Sequence, residues 1–142
     1  MTYFNSKTNL VIIDVVLLIV RLFVGFAMLS HGFPKLQMLL EGGEIKFFDF
    51  LGMGPKISLI LTVFAEFVCS IFLILGLFTR IAVGFLMFTM IVAGFVVHGS
   101  DAFDKREMSL LYLSIYFLIM ALGAGRLSID GMIEKKRRAS EW

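Results

Sequence analysis

The sequence predicts an all-α fold, a transmembrane four-helix bundle with both termini in the cytoplasm. Hydrophobic residues make up 59% of its 142 positions and charged residues 17%, with a mean hydropathy of +0.95. Soluble domains are about 45–50% apolar and about 25% charged, so this composition indicates lipid as the main solvent. Four apolar runs, each approaching the ~20 residues that a membrane-spanning helix needs, carry the rest of the prediction.

The four runs are separated by short polar connections. Within one membrane domain, residues 1–142, the predicted spans cover about residues 10–33, 57–78, 81–98 and 107–125. The turn Thr79-Arg80 joins the middle two spans and predicts an antiparallel helical hairpin. A polar loop, 34–56, joins the first two, and a charged connection, 99–107, joins the last two. The runs are too long and too uniformly apolar to be buried strands.

The distribution of Lys and Arg predicts the orientation. Four spans place both termini on one side of the membrane, together with seven basic residues: Lys7, Arg80, Arg126, Lys135, Lys136, Arg137 and Arg138. The other side holds five: Lys35, Lys46, Lys56, Lys105 and Arg106. Because cytoplasmic segments carry the excess of basic residues, both termini are predicted to be cytoplasmic. Basic residues at the ends of apolar runs do not indicate a nucleic-acid partner.

Two charged residues lie near the middle of predicted spans, Arg21 in the first and Glu66 in the second. A charge inside the membrane is costly and usually faces a partner within the bundle. Since the two helices are antiparallel, the sequence predicts an Arg21–Glu66 ion pair. The pair has two interpretations, a contact that fixes the helix register or part of a ligand or proton site.

A second polar group is predicted at the outer face. His31 and Lys35 are four residues apart, hence on one helix face, while His98 closes the third span and Glu107 opens the fourth. Histidine titrates near neutral pH and can carry protons. Three interpretations stay open: side chains that meet headgroups and water, a quinone or small-molecule site, and a metal site. No local ligand motif such as HExxH is present, so no metal ligand is assigned.

Other polar residues have simpler interpretations. Tyr112 and Tyr116, a turn apart on the fourth span, fit either interhelical packing or contact with a quinone. Asp14 is predicted to pair with Arg80 or Arg126. The single cysteine, Cys69, excludes an intrachain disulfide and a cysteine-pair redox centre.

The sequence resembles the DoxX family of small bacterial membrane proteins, and the segments that carry the resemblance follow in the same order along the chain. The resemblance runs from Val20 to Asp130 and is carried by Arg21-Leu22, His31-Gly32-Phe33-Pro34-Lys35-Leu36, Ala65-Glu66, Leu75-Gly76-Leu77-Phe78-Thr79-Arg80, Val97-His98-Gly99, Glu107 with Leu110-Leu111-Tyr112, and Gly123-Ala124-Gly125-Arg126-Leu127-Ser128-Ile129-Asp130. Ala124 stands where the family's closing segment has proline. The resemblance implies a multi-pass four-helix bundle in a bacterial plasma (inner) membrane.

The resemblance also implies a redox context. The family's namesake relatives are linked to thiosulfate:quinone oxidoreductase, others are associated with redox and detoxification complexes, and many have no assigned activity. Related proteins that use cysteine pairs need thiols that this chain lacks. The chain is therefore interpreted as a quinone-interacting subunit of a membrane redox system, with quinone as the implied cofactor and a redox protein, the lipid bilayer and further copies of the chain as partners.

In this interpretation His31 or His98 hydrogen-bonds a quinone oxygen, and Glu107 supplies or removes a proton. The other residues expected around the ligand are Arg21, Lys35, Glu66 and Tyr112. The alternative is a non-catalytic interaction subunit, a scaffold that recruits a partner enzyme through the first loop or the segment 126–142. Whether the chain is itself an enzyme stays open. Four short, unbroken helices without paired repeats argue against a transporter.

Overall fold

The computed structural model describes residues 9–141, and this part of the chain is helical with no strand. The helices are α1 (Leu10–Glu41), α2 (Pro55–Leu75), α3 (Thr79–Val97), α4 (Phe103–Leu122) and α5 (Ile129–Ser140). Helices α1 to α4 pack each against the next, and α4 returns to α1. Lys7 and Trp142, which belong to the predicted orientation and tail, lie outside the described residues.

Three of these helices, α1, α2 and α3, are long and apolar enough to cross a membrane. Their outward faces are apolar: Phe23 is 73% exposed and Ile81 62%. Lipid is the solvent that makes such a surface favourable, so the predicted helical membrane fold is confirmed. Helix α4 falls outside this group because its first turn carries Asp104, Lys105, Arg106 and Glu107.

Helix α1 continues past Pro34 to Glu41, although the sequence predicts a loop from Pro34 onward. Proline removes one backbone donor from a helix. Membrane helices tolerate that loss because neighbouring helices and local adjustments satisfy the freed carbonyl group. The consequence for the site is that Lys35 is a helical residue, one turn beyond His31 on the same face of α1.

Two π-helical segments interrupt the apolar helices, Phe64–Cys69 in α2 and Val92–Val97 at the end of α3. A π-helical turn holds an extra residue, which rotates the helix face that follows, and such turns are frequent at functional sites. Glu66 lies inside the first segment. In the second, the Gly94 carbonyl accepts a hydrogen bond from Arg106 Nε at 3.1 Å, so a side chain of α4 binds this stretch of α3.

Small residues let the backbones of α1 and α2 approach closely. A Cβ atom added to Gly32 would lie 2.8 Å from the carbonyl carbon of Glu66 and 2.9 Å from the amide nitrogen of Phe67. Two turns earlier, a Cβ atom added to Gly25 would meet the side chain of Ile74 at 2.5 Å and the backbone oxygen of Ser70 at 3.4 Å. These contacts fix the antiparallel register of the two helices.

The segment after α4 folds back onto the base of α3. The carboxylate of Asp130 accepts hydrogen bonds from the Phe78 and Thr79 amides, both at 2.9 Å. Its own amide donates to the Gly76 carbonyl at 2.8 Å. Phe78 has a positive φ of 47°, which is unfavourable for a bulky residue, and the hydrogen bond that its amide donates to Asp130 stabilises this conformation. Ser128 caps α5 by accepting the Gly131 amide at 3.0 Å.

The close α1–α2 contact predicts an asymmetric response to alanine. We expect Gly32→Ala to destabilise the bundle by about 1–3 kcal/mol, because the new methyl group meets backbone that cannot move aside. Gly84→Ala is the matched control, since its Cβ atom would meet only the end of Met120 at 3.7 Å. Denaturation in detergent micelles measures both free energies of unfolding. Equal stability of the two variants would contradict the register described here.

Candidate functional site

A buried ion pair joins α1 to α2. Lys35 Nζ lies 2.6 Å from Oε1 and 2.5 Å from Oε2 of Glu66, so the ammonium group bridges both carboxylate oxygens. Glu66 is 4% exposed, whereas the Lys35 side chain is 29% exposed. A carboxylate with so little access to water needs a charged hydrogen-bond donor, and Lys35 supplies it.

The predicted Arg21–Glu66 ion pair is wrong. In the register of the two helices, Gly32 faces Glu66, while Arg21 faces Gly76. Arg21 and Gly32 are separated along α1 by a rise of roughly 16 Å. The two charges therefore lie at different depths, and the carboxylate meets the lysine from the turn of α1 that follows Gly32.

Arg21 has a separate environment at the opposite end of the bundle. It is 1% exposed, and its Nη2 donates to the Leu127 carbonyl at 2.8 Å. Its Nε and Nη1 have no hydrogen-bond partner in the described part of the chain, and Asp130 supplies the opposing charge. Gly76 is required here, since its φ is +67° and a Cβ atom would lie 1.9 Å from Arg21 Nη1.

Aromatic rings from α1 and α4 adjoin the ion pair. The His31 ring packs edge-on against Tyr112, with centroids 6.1 Å apart, and Tyr112 stacks on Tyr116 at 6.0 Å. Tyr116 is fully buried, and its hydroxyl has no hydrogen-bond partner among residues 9–141. His31 is exposed at the side of the bundle. We call His31, Lys35, Glu66 and Tyr112 the Glu66 cluster.

Two predicted residues of the outer group have other surroundings. His98 Nδ1 lies 2.7 Å from Asp101 Oδ2, in the turn between α3 and α4. The hydrogen bond with His98 holds the pKa of Asp101 below its ordinary value. Gly94 of α3 packs against Ser109 of α4. Because the two helices are antiparallel, His98 and Tyr112 are separated along the bundle axis by a helix rise of about 10 Å. Glu107 is exposed, with no side-chain hydrogen bond or ion pair to another described residue.

The predicted outer group is thus only partly brought together. The structure joins His31 and Lys35 and adds Glu66 and Tyr112, while His98 and Glu107 lie nearer the end of the bundle. Within residues 9–141, no three His, Cys, Asp or Glu side chains are grouped to hold a metal ion. Chemically, the Glu66 cluster provides groups that can donate and accept protons, and these groups lie beside apolar surface.

The segment after α4 is held by a second ion pair. Asp14 Oδ1 accepts the Arg126 amide at 2.9 Å, and its Oδ2 lies 2.5 Å from Arg126 Nε. Of the two partners predicted for Asp14, the structure selects Arg126. Together with the Arg21–Leu127 hydrogen bond, this pair binds residues 126–127 to α1.

A family model described as DoxX matches residues 16–99. The match covers more than half of the chain, from the second turn of α1 to the turn after α3, and includes His31, Lys35 and Glu66. Comparison with curated proteins and with solved structures gave no match. The family match and the apolar helices together establish a membrane protein.

Removing one partner of the buried ion pair should be costly. We expect Lys35→Met to destabilise the bundle by about 1–3 kcal/mol, less than for a fully buried pair because Lys35 is partly exposed. Lys46→Met, in the exposed first loop, should change stability by less than about 0.5 kcal/mol. The double variant Lys35→Met/Glu66→Met should recover most of the loss. The same unfolding assay measures all three, and no recovery would show that the two side chains are not coupled.

Proposed function

The chain belongs to the DoxX family, and from this premise we propose that it is a quinone-interacting subunit of a membrane redox system. The Glu66 cluster carries the proposal. It combines a buried carboxylate, an ammonium group bound to that carboxylate, and an exposed imidazole that packs against a phenol. These groups lie at the side of an apolar bundle, where a lipid-dissolved molecule has access.

A quinone accepts two electrons and two protons to become a quinol. In the proposal, a redox partner protein supplies the electrons, and this chain binds the ring and supplies the protons. The exposed His31 imidazole donates a hydrogen bond to a quinone oxygen, and Tyr112 holds the imidazole from its other side. The Lys35–Glu66 pair would donate the two protons one after the other and would be reprotonated from water between the two transfers.

His98 and Glu107 act further out in this proposal. Both lie near the turn between α3 and α4, where water is accessible, and His98 already shares a hydrogen bond with Asp101. Their proposed role is to exchange protons with water and so to restore the protonation of the Glu66 cluster. Arg21 is outside this path and holds the opposite end of the bundle.

The alternative function is a non-catalytic scaffold subunit that recruits a partner enzyme. The observation that favours it is the surface of α5, where Met132 is 61% exposed and Ile133 56%. Exposed apolar side chains on an amphipathic helix fit contact with another protein or with the membrane surface. In this alternative the ion pair and the aromatic rings are structural.

The proposal includes four membrane crossings, cytoplasmic termini and a bacterial plasma membrane. Helix α4 supports the fourth crossing because its buried Tyr116 faces the bundle while Phe117 and Leu118 are 64% and 59% exposed. Its charged first turn is partly accommodated by α3, since Arg106 lies 5.4 Å above the Phe95 ring. The apolar part of α4 then crosses the membrane with its charged end at the surface.

Cysteine accessibility tests the number of crossings. Cys69 is 1% exposed and should not react, so single cysteines report on their own positions. We expect Ser100→Cys to react with an impermeant maleimide in bacterial spheroplasts. Ser140→Cys should react only after permeabilisation. Labelling of both positions from the same side would show that α4 does not cross the membrane.

Quinone retention tests the proposed function. In native mass spectrometry of protein extracted gently from membranes, the parent should carry a quinone-mass adduct. His31→Ala should reduce that adduct about three- to tenfold, as expected for the loss of one hydrogen bond. His98→Ala is the matched control, because His98 is bound to Asp101 outside the Glu66 cluster, and it should retain the quinone.

The scaffold alternative predicts a different spectrum. Parent protein with stoichiometric partner chains and no quinone adduct would favour the scaffold. An adduct that both histidine variants retain in full would exclude His31 as the ligand contact.

A further inference from the structure

An open groove lies at the end of the bundle where α3 begins and α4 ends. It has a volume of about 1070 Å³ and runs between the base of these helices and α5. Arg80 and Lys135 line it from opposite walls, on α3 and α5, with apolar surface from Phe78, Ile81 and Leu122. We propose that this groove binds one anionic phospholipid, with the phosphate between Arg80 and Lys135.

The charges in the groove leave these two cations available. The Asp14 carboxylate is paired with Arg126, and Glu134 is paired with Arg138. Asp130 is occupied by two backbone amides of the α3 N-terminus. Within residues 9–141, neither Arg80 nor Lys135 forms an ion pair or a side-chain hydrogen bond. Four basic side chains line the groove against three carboxylates, so its lining carries a net positive charge, and the carboxylate of Asp130 faces Arg21 rather than Arg80 or Lys135.

An adjoining cleft accounts for the acyl chain. This cleft, of about 200 Å³ between α2 and α3, is apolar throughout and is lined by Phe64, Phe72 and Phe85. Phe78 and Ile81 line both the cleft and the groove, so the two spaces are neighbours on the surface of the bundle. A ligand with an anionic head and an apolar chain matches this sequence of surfaces, whereas a free phosphate matches only the groove.

The depth of the groove suits a phospholipid headgroup. Arg80 is the second residue of α3, and Leu122 is the last residue of α4, so the groove opens where helices leave the apolar layer. The guanidinium of Arg80 lies beside Gly123, just after the end of α4, since a Cβ atom added to Gly123 would lie 4.0 Å from Arg80 Nη2. Basic pockets between helices at the membrane surface are typical sites for anionic headgroups.

Lipid retention in native mass spectrometry tests the proposal. The full chain is reconstituted in vesicles of equal phosphatidylglycerol and phosphatidylcholine, extracted gently, and its bound lipid is identified by mass. We expect phosphatidylglycerol to be enriched on the parent. The variant Arg80→Gln/Lys135→Gln should lower that enrichment about tenfold or more, as expected for two cations at the headgroup.

The matched control is Lys136→Gln/Arg137→Gln, which removes the same charge from α5 outside the groove and should keep the enrichment. Equal loss in both double variants would overturn the proposal in favour of diffuse attraction by the basic helix. No enrichment on the parent would overturn it as well. Displacement of the lipid by millimolar inorganic phosphate would show that the apolar cleft holds no chain. None of these outcomes depends on quinone binding at the Glu66 cluster.

Discussion

The contact between Gly32 and the backbone of Glu66 is the constraint on which the rest of the bundle depends. It fixes the register of α1 against α2, and this register decides which charges can meet. Lys35 then lies within reach of Glu66, while Arg21 lies at the base of the bundle beside Gly76. A glycine is needed because any larger residue would push the two backbones apart.

The register separates two polar regions that differ in chemistry. One is the Glu66 cluster, where a lysine–glutamate ion pair links α1 to α2 and an imidazole packs against a phenol at the side of the bundle. The other holds a guanidinium bound to a backbone carbonyl and faced by Asp130, an arrangement suited to holding segments together. The proposed redox chemistry therefore belongs to the first region, and the mechanical cohesion of the bundle to the second.

Much of the fold was predictable because lipid imposes simple rules on sequence. Long apolar runs must be helical, and the spacing of His31 and Lys35 places them on one face. The ion pair of Asp14 with Arg126 could be predicted because few basic residues were expected at the depth of Asp14. The partner of Glu66 was not predictable, because it depends on α1 continuing through Pro34 and on the helix register.

The surroundings of His98 also lay beyond the sequence. The distance of His98 from Tyr112 follows from the packing of Gly94 on Ser109. Gly94 belongs to the π-helical segment that precedes His98, and hydrophobic periodicity gives no sign of that segment. Gly32, next to His31, was the signal for the close contact between α1 and α2, since small residues mark close helix contacts. Without a known partner helix, that signal indicates a contact but not the residue that it meets.

The hydrogen bond from Arg21 to the Leu127 carbonyl spans 106 positions of the chain and so has a consequence for biosynthesis. Arg21 enters the membrane with the first helix, long before its acceptor has been translated. During that interval the guanidinium depends on water, lipid phosphate or the insertion machinery, because a bare charge in hydrocarbon is costly. A chain that ends before residue 127 lacks the acceptor, so its Arg21 keeps this requirement for an external partner.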